Sequence, residues 1–519
     1  MSLQGFFGPG PYDDGDAVTG HYYEAASSDR SRPQVWAYTN ALSYAPGDTL
    51  VLHATSTAAE VRVQIARDGL TPRLVLDRVI RVGFAETSND CSVKGCGWPE
   101  VMRLEVPEGW RSGVYTVSLT VSGHVSQHMF VVKSNYTHER SKTLMILTTA
   151  TWCAYNDWGG SNHYQGIVGP RRADAAHDVS LLRPWAKGFV GWPQGAPRIP
   201  HASPLLTRPR YPHMEYARAR GVSKKYASSG WAAFERPFAL WCEEQGIGLD
   251  YWTQHDLHAR GVPEGYDRVV IVGHDEYWTW EMRDHLEAWL DRGGQVARFA
   301  GNFYWQTRLS DDLLTQTCWK VGPDPIGGAR RTTYWDAPEV GRPAVATMGL
   351  TGSMGVYAGW SRCAAHGAGG FAIYRPGHWS LRDTGLGYGD VLGAAARIFG
   401  YEVDGVELGL RHGLPFAEDE RLEIVGMSPA TTLSHHTSPA DRDSFIGHLD
   451  AEDTARVIYG AVNDETMGRA SRGNGCMAQF RRGRGAVFNA GSCEWVNGLI
   501  ERDPTVERVT RNVLVGEWG

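Results

Sequence analysis

Three short stretches concentrate the side chains able to bind a metal, move protons or steady an oxyanion. The first carries Tyr155, Asn156, Asp157, His163 and Tyr164, the second His274, Asp275 and Glu276, the third Asn302 and Tyr304. Phenolate and carboxylate oxygens are hard, anionic donors. A site built from them suits a hard, highly charged ion such as ferric iron better than a thiophilic metal. Such an ion draws a tyrosine pKa far below its free value of about 10. It also lowers the pKa of a bound water and polarises a carbonyl. His274 lies two residues from Glu276, so at a strand end both side chains can share a face. One can then bind a metal while the other moves protons.

Each group also has a plainer role. Tyr155 and Tyr164 fit as rim aromatics, His274 and Glu276 as a satisfied hydrogen-bond pair, and Asn302 as the cap of a turn. Cys153, just after an apolar run, is a rival nucleophile of the glutamine-amidotransferase kind. That chemistry uses a glycine-flanked elbow, and Trp152 and Ala154 leave little room for one. The chain has no His-Glu-x-x-His, no Gly-x-Ser-x-Gly and no phosphate loop. Cys91 and Cys96 lack a second pair for a zinc site. The acidic run 418–420 reads as a solvated turn.

What must position these residues is a set of buried strands. Residues 143–148, 268–273 and 295–300 are largely apolar runs, as expected of strands buried on both faces. Apolar residues recur at helical spacing from 231 to 246, where Pro237 implies a kink or a late start. A second helix is expected over 279–292, stopped by Gly293 and Gly294. Alternating strands and helices make a parallel sheet, with ligands beyond the carboxyl ends of its strands. The expectation is a mainly parallel, glutamine-amidotransferase-like α/β catalytic domain over 136–519, with irregular Trp- and Gly-rich insertions. Residues 485–492 read as a further strand and 504–515 as a closing helix.

Ahead of it, short alternating runs at 34–38, 49–53, 60–65, 113–119 and 128–132 are punctuated by turns such as Pro46-Gly47-Asp48. This predicts an all-β, immunoglobulin-like sandwich over residues 1–135. No chemistry-bearing cluster falls within it.

A chain of 519 residues exceeds one hydrophobic core, which accords with more than one domain. A net charge of -7 without a basic block excludes an electrostatic footprint for nucleic acid. No apolar run approaches the ~18 residues of a membrane span. The N-terminus lacks the pattern of a signal peptide, and the cysteines are scattered, so a cytoplasmic location is expected. The 20 Trp supply either core packing or apolar pocket walls. An aromatic cleft would also serve a non-catalytic protein that binds a small molecule or a carbohydrate.

As an ordered set, several stretches resemble the N,N-dimethylformamidase large (beta) subunit family. They are Ala154-Tyr155-Asn156, Gly159-Gly160-Ser161-Asn162-His163-Tyr164, Ser180 to Pro184, His258, His274 to Trp278, Gly293-Gly294, Gly301 to Trp305 and Gly400-Tyr401-Glu402-Val403-Asp404. The likeness runs from about residue 140 to at least 405. It implies an amidohydrolase with one iron bound by two tyrosines and a glutamate: here Tyr155, Tyr164 and Glu276. Zinc is the lesser alternative. It also implies His274 and Asn302 as orienting groups and Glu402 as a further active-site acid. In that reading His274 or Glu402 relays protons and Asn302 steadies the oxyanion of a small amide-like substrate. The segment between the two tyrosines is shorter here than in the family, so Tyr211 or Tyr216 could replace Tyr164. Homo-oligomers are compatible with this family, and nothing in this chain represents a small subunit.

Overall fold

The computed structural model describes residues 22–134, 141–166, 175–198, 212–320, 322–355, 369–407, 421–431 and 447–519. The protein is mixed α/β and divides into two compact units. The first comprises Met1–Arg198, His213–Ala259 and Thr307–Asp324, the second Ile199–Pro212, Arg260–Gln306 and Pro325–Gly519.

In the first unit, strands Val35–Thr39, Thr49–Ser56 and Glu100–Glu105 form an antiparallel three-stranded sheet. A five-stranded sheet runs Ser43–Tyr44, His124–Val132, Gly113–Val121, Glu60–Arg67, Arg73–Arg81. Period-two patterning explains how they bury a core. In Glu60–Arg67, Val61, Val63 and Ile65 point inward while Arg62 and Gln64 reach Asp77 on the neighbouring strand. The inward residues meet Leu50, Leu52, Val117 and Phe130 in one shared cluster.

The same unit holds Thr143–Leu147, buried throughout and parallel to Asp250–Thr253. Thr149–Tyr155, read from sequence only as the stretch beyond a strand, is a helix. The helix anticipated over 231–246 begins late, at Glu235, and runs to Glu244. Pro237 thereby falls in its first turn, where a missing N–H costs nothing.

The second unit carries the sheet strands Arg268–His274, Gln295–Gly301 and Gly485–Asn489 side by side and parallel. Helix Trp280–Asp291 connects the first two; Thr279 caps it by accepting from the Met282 N–H at 3.1 Å. Val269, Val270, Ile271 and Val272 are all fully buried, as the apolar run required. Beyond Gly485–Asn489 the direction changes. Arg472–Arg482, Leu422–Thr431, Phe371–Ile373 and Val391–Leu392 add antiparallel pairs. The sheet is therefore mixed, not mainly parallel as expected. Only Gly483 and Arg484 separate Arg472–Arg482 from Gly485–Asn489. So short a connection can only make a hairpin, because a parallel pair needs a crossover of a dozen or so residues. Gly483 has φ +54°, and a Cβ there would lie 2.5 Å from the Asp291 Cα. Helices Trp495–Ile500 and Pro504–Val515 follow, the latter capped by Asp503. No helix among the described residues is long and apolar enough to cross a membrane.

Candidate active site

In the first unit the two phenols meet. Tyr155 ends the helix Thr149–Tyr155, and the Tyr164 hydroxyl donates to the Tyr155 oxygen at 3.0 Å, with ring centroids 4.6 Å apart. Asn162 folds the chain back to make this possible. Its amide donates to the Tyr155 carbonyl at 3.1 Å, and its carbonyl accepts from the N–H groups of Tyr164 at 2.8 Å and Gln165 at 2.9 Å. The bend before it uses Gly159 at φ +83°, where a Cβ would meet the Cys91 sulfur at 2.7 Å. Arg183, wholly buried, donates to the carbonyls of Trp158 at 2.7 Å and Ser161 at 2.9 Å. A separation of nine residues thus suffices to pair the phenols.

Two cations attend the pair. The Lys320 ammonium lies 3.7 Å from the Tyr164 ring centroid, and Lys225 lies 4.7 and 5.1 Å from the rings of Tyr164 and Tyr155. Neither lysine stood out in the sequence. Tyr216 is engaged elsewhere, donating to the Gln194 carbonyl at 2.6 Å. Tyr211 and the acidic run 418–420 lie outside the described residues. Cys153 is buried within its helix, and burial pushes its thiol up to about 12. That is the opposite of an activated nucleophile.

In the second unit His274, Glu276, Asn302 and Glu402 converge. His274 ends its strand, and its Nε2 lies 3.5 Å from Glu276 Oε2, 3.3 Å from Asn302 Nδ2 and in close contact with Glu402 Oε2. Asn302 Nδ2 donates to Glu402 Oε2 at 2.8 Å. Burial raises the Glu402 carboxyl above the usual range, against the lowering pull of His274. A raised carboxyl in contact with an imidazole is an arrangement that can hold a proton and pass it.

The scaffold beneath this group is ionic. Arg298, wholly buried, donates from Nε to Asp275 Oδ2 at 2.8 Å and closes a second bond to the same carboxylate. Its other arm grips Asp404 and, at 2.9 Å, Asn489. Asp404 Oδ1 in turn accepts from the N–H groups of Asn302 at 2.7 Å and Phe303 at 3.1 Å. Asn302 sits at φ +68°, a left-handed conformation that asparagine tolerates better than most residues. Gly301 lets the chains close up, since a Cβ there would lie 2.5 Å from the Glu402 carbonyl. Sequence reading passed over Arg298 and Asp404. The available signal was a lone charge inside the apolar strand Gln295–Gly301, and an acid two residues after Glu402.

Residues 76–507 match the family described as N,N-dimethylformamidase beta subunit-like, C-terminal. The chain belongs to that family. It is also 23% identical over 467 residues to the N,N-dimethylformamidase beta subunit of Paracoccus aminophilus, covering 82% of this chain and 55% of that protein. The chain thus spans about half the length of this curated relative. The family match reaches further towards both ends than the motifs alone, which began near residue 140. Those motifs have local causes in this chain. The Gly-Gly-Ser-Asn-His-Tyr run makes the turn that pairs two phenols, and Gly-Tyr-Glu-Val-Asp brings both Glu402 and the Asp404 anchor of Asn302.

Proposed function

We propose that the protein is a metal-dependent hydrolase of a small amide or related C–N bond, acting in the manner of N,N-dimethylformamidase. The observation that carries this reading is the 3.0 Å approach of the Tyr155 and Tyr164 oxygens. Two oxygens so close are a ready-made pair of hard donors, and the donor chemistry fits a hard cation. Tyr155, Tyr164 and Glu276 would hold a single, ferric iron. When bound, that ion supplies Lewis acidity for polarising an amide carbonyl and acidifying water.

The chain's own residues account for the rest. Glu402 and His274 share a close contact across which a proton passes, so one takes it from water and returns it to the departing amine. Asn302, fixed through its backbone by Asp404, offers a carboxamide N–H for the developing oxyanion. The burial of all three keeps competing water from this relay. We further read the two N-terminal sheets as immunoglobulin-like, since they share one core, and the α/β part as glutamine-amidotransferase-like, from its three parallel strands. A reducing, cytoplasmic setting accords with the seven described cysteines, all free thiols. The relative is named as a subunit, which supports assembly of this chain into an oligomer.

Metal analysis with absorption spectroscopy tests the reading. One iron per chain and a phenolate-to-ferric visible band are expected, with the band bleached in Tyr155→Phe. Amide turnover should vanish in Glu276→Ala. Colourless, iron-free protein with full amide turnover would reject the ligand set.

A further inference from the structure

We propose that His274, Glu402 and Cys493 form a second cation site, selective for a thiophilic divalent metal of the zinc class. It is distinct in donor chemistry from the phenol set, and it stands on the second unit's geometry without relying on the amide reading. One ligand atom from each residue, an imidazole nitrogen, a carboxylate oxygen and a thiol sulfur, lies within 4.8 Å of the other two. All three side chains are buried. The backbone fixes this convergence. The Cys493 N–H donates to the Glu402 carbonyl at 3.1 Å, and Val403 bridges Ser492 next to it. His274 arrives from the end of its own strand.

An independent observation lies on Glu402. Its Oε2 is occupied by Asn302 and His274. Its Oε1 is buried and has no hydrogen-bond partner among the described residues. Leaving a buried oxygen in that condition is destabilising, and a cation supplies what it lacks. Zinc accepts nitrogen, oxygen and sulfur together, commonly with three protein ligands and a fourth position for water. Bonds of about 2.0–2.3 Å draw ligand atoms to roughly 3.5 Å of one another, so rotation of the three side chains closes the site. Loading releases the Cys493 thiol proton to solvent and leaves a thiolate–metal bond. It also occupies both members of the His274–Glu402 proton relay, so a cation of this class inhibits whatever reaction that relay serves.

Cobalt(II) titration of the purified full-length chain tests this, cobalt standing in for zinc. A thiolate-to-cobalt charge-transfer band saturating at one equivalent is expected, abolished by zinc. It should survive in Tyr155→Phe, disappear in Cys493→Ser, and need at least tenfold more cobalt in Glu402→Gln. Zinc-edge X-ray absorption on the wild-type chain gives a readout that needs no variant: one sulfur among nitrogen and oxygen neighbours. Absence of the thiolate band in folded wild-type protein overturns the site. So does a band that persists in Cys493→Ser, a shell without sulfur, or a shell with two or more, which would direct the metal to Cys91 and Cys96. The ferric colour lost in Tyr155→Phe reads the other donor set, so either proposal can fail alone.

Discussion

Glu235 shows how much a single buried carboxyl can set. It is wholly buried, accepting from the Thr148 hydroxyl at 2.6 Å and the Trp152 indole at 3.1 Å, and so braces the start of the helix that ends in Tyr155. Burial pushes its pKa up to about 8, against about 4.3 in an unfolded chain. The folded protein keeps a proton that the unfolded chain has released, so this residue's contribution is complete below about pH 4.3 and is lost as pH rises to 8. Glu235→Gln should flatten that decline. Melting temperatures from pH 5 to 9 should show the variant gaining on the wild type as pH rises, and parallel curves would refute the assignment. At the proposed catalytic residues, Glu402→Gln should lower amide turnover by about 10²–10⁴-fold as a proton carrier is lost. Asn302→Gly keeps the left-handed backbone and removes only the carboxamide. A fall of about 10²–10³ in kcat is expected for one lost oxyanion donor, with the fold unchanged by circular dichroism. That His274, Glu276 and Asn302 would be neighbours was legible in the sequence, because polar residues stand where apolar runs end, whereas Glu402 was suggested only by the family resemblance. The lysines over the phenols were not legible, since Lys225 and Lys320 reach Tyr164 from distant segments.

At the scale of elements, the strand Gln295–Gly301 is both a core member and the mount of the site. Arg298 is its unusual component: a guanidinium at zero exposure between the carboxylates of Asp275 and Asp404. Removing one partner of a buried ionic group strands the rest, at a cost of about 3–5 kcal/mol. Arg298→Met should therefore lose that much in urea unfolding. Arg298→Lys, which keeps charge but not the fork, should lose less. A loss within about 0.5 kcal/mol for Arg298→Met, the range of ordinary surface changes, would show that the ion triad carries no structural weight. The apolar strands themselves were readable from composition. Their directions were not: nothing in a run such as 485–492 says whether its neighbour lies parallel. That was decided by the hairpin at Gly483, and with it the antiparallel half of the second unit's sheet.

At the scale of the whole molecule, the family match over residues 76–507 embraces segments of both compact units. A metal bound only by the native state stabilises it by mass action, by about 2.7 kcal/mol at a hundredfold excess over Kd. Chelation of the iron-loaded protein should lower the melting temperature in calorimetry and leave Tyr155→Phe unaffected. An equal fall in both would separate the stabilisation from the phenols. Patterning along the chain determined that there would be short β strands, buried strands and a polar residue set at their ends, because burial and turn chemistry act over a few residues. Only the tertiary structure decided which polar groups face one another. The Arg298–Asp404 pair spans 106 residues, and local periodicity carries no information over such a distance. The same holds for Cys493 beside Glu402, where two segments unremarkable alone become a donor set once the backbone closes between them.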